Sequence, residues 1–263
     1  DWYLSAKLSK KNFMDTHLFP NLKVEGVPSS LKGNTYSVKY NDLDAIKKII
    51  KKDKNISSII MEVERDQKPK FGYLNLIRKI CNKHNICLIF DECTSGFRET
   101  YGGLHLKYKI YPDMAMFGKA IGNGYALTAV LGKKKVMNKS NSTFISSTFW
   151  SERIGYVAGL ATLKEMKKIK SWKKIKTKGR YIKKCLFKIA QKHKLSIKFS
   201  GLDALIKFEI LSLGSFDYNK FITEQMLKKN YLATQNIYVS IAHTKDKIEK
   251  YLNLIDSVFE KIA

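Results

Sequence analysis

The chain has 263 residues, enough to bury a full core and to form one large domain with a smaller one beside it. A formal charge of +26 ordinarily points to nucleic acid or an anionic membrane surface, but the lysines run through the whole sequence alongside many Ile and Asn, which reads as general composition, not a designed patch. No apolar run reaches the length of a membrane span, Asp1-Trp2-Tyr3 is unlike a signal peptide, and Cys81, Cys87, Cys93 and Cys185 lack the CxxC spacing of a zinc site, so no metal is expected.

In chain order, residues 1–40 read as irregular, punctuated by Pro20, Gly26, Pro28 and Gly33. Asn41 is the expected N-cap of a helix running to Ile50, because its side chain can accept an orphan backbone N–H. A strand follows at 56–63, and a helix at 73–85 with Leu74, Ile77 and Ile80 on one face. Residues 86–90 form a continuous apolar run of the kind buried on both faces. Short strands are expected at 114–117 and 126–131, and helices at 152–168, 217–229 and 245–262. Between Lys164 and Lys188, lysines interleave with Met166, Ile169, Trp172, Ile175, Ile182 and Leu186, the pattern of an amphipathic helix with a solvated basic face continuing to His193. Residues 195–199 and 204–210 alternate like strands of a smaller sheet. The class is therefore α/β with a separate α+β C-terminal part, divided as 1–170 and 171–263.

Asp91 ends the apolar run and Lys119 follows the strand 114–117. A carboxylate and an amine at neighbouring strand tips can grip opposite ends of one flat cofactor, and pyridoxal phosphate needs both: an anion for its ring nitrogen and an amine for its carbonyl. Four apolar residues followed by Asp-Glu also describe the magnesium-binding strand of a nucleotide hydrolase. That reading requires a GxxxxGK[ST] loop, which the sequence lacks.

Asp91-Glu92-Cys93-Thr94-Ser95-Gly96-Phe97-Arg98, Tyr111-Pro112-Asp113, Phe117-Gly118-Lys119-Ala120-Ile121-Gly122-Asn123-Gly124 and Ser147-Thr148-Phe149 leading into 158–163 resemble class III aminotransferases, nearest the glutamate-1-semialdehyde aminomutase-like branch. The likeness is dense from Glu62 to Leu163. It implies the fold type I of pyridoxal-phosphate transferases, with a mixed, mostly parallel sheet in the large domain. It also implies pyridoxal 5'-phosphate as cofactor, an amino donor and a carbonyl acceptor as substrates, and a homodimer with a shared active site; apart from the resemblance, the four cysteines read as reduced thiols of a cytoplasmic protein, and the composition gives no specific role for nucleic acid or membrane.

By the same resemblance Lys119 is the Schiff-base lysine and Asp91 the partner of the ring nitrogen. Cys93 takes the place of a small residue packed under the ring, and Thr94 lies near its phenolic oxygen. Ser147 and Thr148 correspond to the hydroxyls that reach the cofactor phosphate of the neighbouring subunit. Glu62 matches a strand-end acid whose usual following Pro is Val63 here, and Gln67 falls where relatives place a polar group near the substrate. Arg98 is expected to hold the 96–103 loop; His105 and His243 read as plain loop residues. Relatives carry an N-terminal phosphate loop and an aromatic-His-Gly element, and Asp1 corresponds to a point just past them. The chain thus looks N-terminally truncated, and the alternative is an incompetent fragment or one half of a split enzyme.

Overall fold

The computed structural model describes residues 2–8, 23–148, 151–211 and 216–263. Its contacts group into two units, one of residues 1–59 and 69–86, the other of 60–68 and 87–263.

In the first unit a short helix α1, Trp2–Ser5, runs straight into a 3-10 turn at Ala6–Leu8, where the sequence suggested irregular chain, and another such turn lies at Ser29–Leu31; Pro20 falls outside the described residues. Helix α2, Leu43–Lys52, buries Ile46 and Ile50 and begins one residue later than expected. Asp42, not Asn41, is its cap, accepting from Ala45 N–H at 2.9 Å. An aspartate there also puts negative charge at the positive end of the helix dipole. Asn41 instead has φ +70° and accepts from the backbone N–H of Lys70 at 2.8 Å. Helix α3, Tyr73–His84, buries Tyr73, Leu74, Ile77 and Cys81, and ends where Asn85 turns left-handed at φ +53°. Asparagine is among the few non-glycine residues that tolerate such a cap.

The second unit holds a four-stranded sheet, β1 (Ser58–Glu62, of which residues 60–62 belong here), β2 (Cys87–Asp91), β3 (Met114–Phe117) and β4 (Ala129–Gly132), in that order. β2 and β3 are parallel with Asp91 opposite Met116, and β4 runs antiparallel to β3. The Asp113 carboxylate accepts from Leu88 N–H at 2.8 Å and from Lys133 Nζ at 2.7 Å, fixing the start of β3 beside β2. β2 is not buried on both faces: Leu88 and Phe90 are fully enclosed, whereas Cys87 and Ile89 are half-buried, because only one face of the strand is fully covered. A short helix α4, His105–Tyr108, precedes β3, and α5, Lys134–Met137, follows β4.

Helices α6, Arg153–Ile169, and α7, Ser171–Lys192, are separated only by Lys170 at φ +52°. α7 turns Ile182, Leu186 and Ala190 inward and most of its lysines outward, the amphipathic arrangement expected of that stretch. It packs where β5 (Ser196–Ser200), β6 (Leu205–Leu211) and β7 (Asn236–Tyr238) form a second, antiparallel sheet with α8 (Tyr218–Leu227) and α9 (Lys245–Ile262). Leu186, Phe208, Ile222, Ile255 and Phe259 are completely enclosed there. Each such side chain contributes about 1.5–3 kcal/mol of apolar transfer. Gly179 permits the close approach of α7: a Cβ there would lie 1.8 Å from the carbonyl oxygen of Asp203.

Candidate active site

Because β2 and β3 are parallel, their carboxyl ends open on one edge of the sheet, the edge at which open α/β sheets bind ligands. Asp91 is the last residue of β2, Lys119 lies two residues beyond β3, and Glu62 is the last residue of β1.

At that edge the chain folds back on itself. Asp91 Oδ1 accepts from the backbone N–H of Cys93 at 2.9 Å, which aims the next residue inward. Thr94 is 5% exposed, and its hydroxyl oxygen accepts from Lys119 Nζ at 2.7 Å. Lys119 itself is exposed, with φ +47°, and its amine is paired with no carboxylate among the described residues. Four of the six sequence-predicted site residues thus lie along this edge, tied by two separate hydrogen bonds, Cys93 N–H to Asp91 and Lys119 Nζ to Thr94.

Ser147 and Thr148 are not part of that cluster. Both are exposed, on the chain leading to α6. They precede α6, whose cap is Glu152; that carboxylate accepts from the Tyr125 hydroxyl at 2.5 Å. Gln67 is exposed on the chain after β1.

The loop carrying Asp91 and Thr94 is anchored by a residue the sequence reading passed over. Glu92 is fully buried and accepts from Ser95 Oγ at 2.5 Å, from His105 N–H at 2.9 Å and from the His105 ring Nδ1 at 2.9 Å. His105, read as a loop residue, is thus a 9% exposed member of α4 tied to the site loop. His243 accepts at Nδ1 from Ser240 N–H at 3.2 Å, well inside the C-terminal part of the chain. Gly96 is required beside Glu92, since a Cβ there would lie 2.7 Å from the Glu92 carbonyl oxygen. Arg98 donates from Nε to Thr94 O at 2.7 Å, holding the loop as expected.

The local field is set by acids. Burial pushes the Cys93 thiol up to about 11, helped by its bond to Asp91 and by that carboxylate's charge, against the lowering effect of Lys119. A thiol so placed is neutral at neutral pH and packs as a small apolar group. Burial also raises Glu62; Arg65 opposes the shift and the nearby Asp91 charge adds to it. Asp91 forms no ion pair with a cation among the described residues. A half-buried carboxylate without a cation, and an exposed amine without an anion, fit the two ends of a protonated pyridine ring bearing a carbonyl. No group of His, Cys, Asp and Glu able to hold a metal exists among the described residues, and no described helix is long and apolar enough to cross a membrane.

The family model for aminotransferase class-III matches residues 6–239. A glutamate-1-semialdehyde 2,1-aminomutase from Natranaerobius thermophilus is 30% identical over 260 residues, spanning 90% of this chain and 60% of the relative. A 3-aminobutyryl-CoA aminotransferase from Cloacimonas acidaminovorans is 32% identical, spanning 85% of this chain and 57% of its own length. Among solved structures, the pyridoxal-phosphate internal aldimine form of the FumI protein from Sphingopyxis sp. MTA144 superposes with a TM-score of 0.85 at 22% identity, covering 90% of this chain and 59% of that one. An acetylornithine aminotransferase from Elizabethkingia anophelis gives a TM-score of 0.75 at 20% identity, covering 86% and 62%. The chain thus spans about three fifths of the length of the curated relatives it matches.

Proposed function

The chain belongs to the class-III aminotransferase family, and on that premise we propose that it moves an amino group between an amino donor and a carbonyl compound, with Asp91 and Lys119 as its reacting pair. The family's cofactor is pyridoxal 5'-phosphate, which when bound serves as the sink for the electrons released as the substrate's C–H bond breaks.

Asp91 would hold the ring nitrogen in its protonated form, its Oδ1 kept in place by Cys93 N–H. The Lys119 amine would take the cofactor's carbonyl and, once displaced by substrate, accept at Nζ the proton lost from the carbon bearing the amino group. Thr94 aims that nitrogen through its 2.7 Å hydrogen bond. Cys93, neutral and partly buried, would pack against the ring without competing as a nucleophile. In a homodimer Ser147 and Thr148 would serve the phosphate of the other subunit's cofactor, consistent with their exposure. Residues 1–170 would then carry the cofactor and 171–263 form the smaller domain. The four cysteines are all free thiols, which suits the reducing cytoplasm.

The observation that carries this reading is the pairing of an amine without an anion and a carboxylate without a cation on one sheet edge. Adding pyridoxal phosphate to the purified chain should produce a visible absorption band that an amino donor bleaches and a 2-oxo acid restores. A cofactor that binds without responding to either substrate would leave amino transfer unsupported.

A further inference from the structure

Arg98 is a half-buried cation that pairs with no acid among the described residues. Burial pushes its guanidinium below the usual arginine range, and only the Tyr238 phenol opposes that shift. Its partners are a carbonyl and a ring. Nε donates to Thr94 O at 2.7 Å, and the guanidinium carbon lies 5.7 Å from the centre of the Tyr238 ring. An aromatic face within about 6 Å attracts such a cation, more strongly where water is excluded.

Tyr238 is the last residue of β7, in the second sheet. Ile237 packs against the core of that sheet, and Tyr238 alternates to the other side, 55% exposed. Ala204 fixes β7 against the loop that carries Arg98. Its N–H donates to Glu99 Oε1 at 3.1 Å, and its carbonyl oxygen accepts from Val239 N–H at 3.0 Å. The residue after Arg98 and the residue after Tyr238 therefore meet on one fully enclosed residue.

From this geometry we propose that Tyr238 is a positioning residue for Lys119: its ring holds Arg98, Arg98 pins the Thr94 main chain, and the Thr94 hydroxyl aims the Lys119 amine. The claim rests on the amino-transfer reading and adds that the C-terminal sheet sets the aim of the reacting nitrogen. Thr94 is bonded at both ends, by Arg98 at its carbonyl oxygen and by Lys119 at its hydroxyl, each at 2.7 Å. With the carbonyl released, Thr94 can turn and carry the amine off line, and a misplacement of about 1 Å is enough to slow a reaction severely. The contact to Arg98 is made by the ring face, so phenylalanine serves at position 238 and leucine does not.

Stopped-flow mixing of the chain with pyridoxal phosphate, followed at the visible band, measures how fast Lys119 captures the carbonyl. Tyr238→Phe should stay within about twofold of wild type and Tyr238→Leu should be slower by about tenfold, the worth of a partly desolvated cation–ring contact. Arg98→Met removes the cation, so adding Tyr238→Leu to it should cost nothing further. Tyr238→Leu as fast as wild type, Tyr238→Phe as slow as Tyr238→Leu, or losses that add in the double variant would each overturn the proposal. Reductive methylation of the cofactor-free chain with formaldehyde and cyanoborohydride, mapped by peptide mass, gives a reading that needs no cofactor. Lys119 released from Thr94 should label about threefold faster in Tyr238→Leu, relative to the other lysines, and at the wild-type rate in Tyr238→Phe. Equal Lys119 labelling in wild type and Tyr238→Leu overturns the assignment. A chain that forms no band with the cofactor, yet shows the labelling change, would count against amino transfer and not against Tyr238.

Discussion

At the scale of single residues, Cys93 is set apart by a thiol held at about 11, so it is protonated wherever the enzyme would work. Alkylation of Cys93 by iodoacetamide should be slow between pH 7 and pH 8 and accelerate only as pH approaches that value; rapid reaction at neutral pH would contradict the packing role. Replacing Lys119 by Ala removes the amine bonded to Thr94 and should lower amino-transfer turnover by at least about 10²–10⁴-fold, the usual worth of a positioned proton-transfer group. Asp91→Asn keeps the shape and removes the charge, and a loss of about 10²–10³-fold in kcat is expected from an electrostatic partner of that kind. Steady-state kinetics on the reconstituted chain measure both, and an Asp91→Asn variant as fast as wild type would remove Asp91 from the reacting pair.

The elements hold these residues in place, and the segment from Asp91 to α4 does so through one buried acid. Glu92→Ala would leave the Ser95 hydroxyl and the His105 N–H groups without acceptors in a dry interior, at a cost of about 1–3 kcal/mol for each donor left unmet. Urea unfolding should show a lower midpoint for Glu92→Ala with an unchanged slope. In α7 the charges act differently. Burial pushes the Asp203 carboxyl up, and the bonds and charges of Arg180 and Lys183 outweigh that and hold it below its ordinary 3.8. A depressed folded value means that Asp203 stabilises the fold above pH 3.8 and stops doing so as pH falls through the lower folded value. Asp203→Asn should therefore be less stable near neutrality and show a shallower loss below pH 3.8, measured by thermal melting across pH. Much at this scale was readable from sequence: β3 and α9 fall where the periodicity puts them, Asp91 is the last residue of β2, and Lys119 follows β3 by two residues. What escaped has a non-local cause. β7 is three residues long with two of them exposed, too short for alternation to register, and its place comes from pairing with β6. The role of His105 depends on Glu92, thirteen residues earlier, and no local pattern marks a histidine that a distant acid will bury.

For the whole molecule, α6 presents Ile154, Val157 and Leu160 to solvent, each more than half exposed, and in the proposed homodimer this apolar surface would be available to the second copy. If subunits share sites as proposed, mixing inactive Lys119→Ala and Thr148→Ala chains through a denature-and-refold step should restore about a quarter of wild-type activity, because half of randomly paired dimers then contain one intact site. No recovery in a mixture that does form dimers would show that Thr148 does not serve a neighbour. Capture of the cofactor by Lys119, in a chain otherwise crowded with lysines, is the step on which the proposed chemistry depends. The most direct measurement is borohydride reduction of the complete chain with pyridoxal phosphate, followed by proteolysis and mass mapping. One dominant labelled peptide containing Lys119, lost in Lys119→Arg, is the predicted result; a label fixed on other lysines with Lys119 unmodified would contradict it.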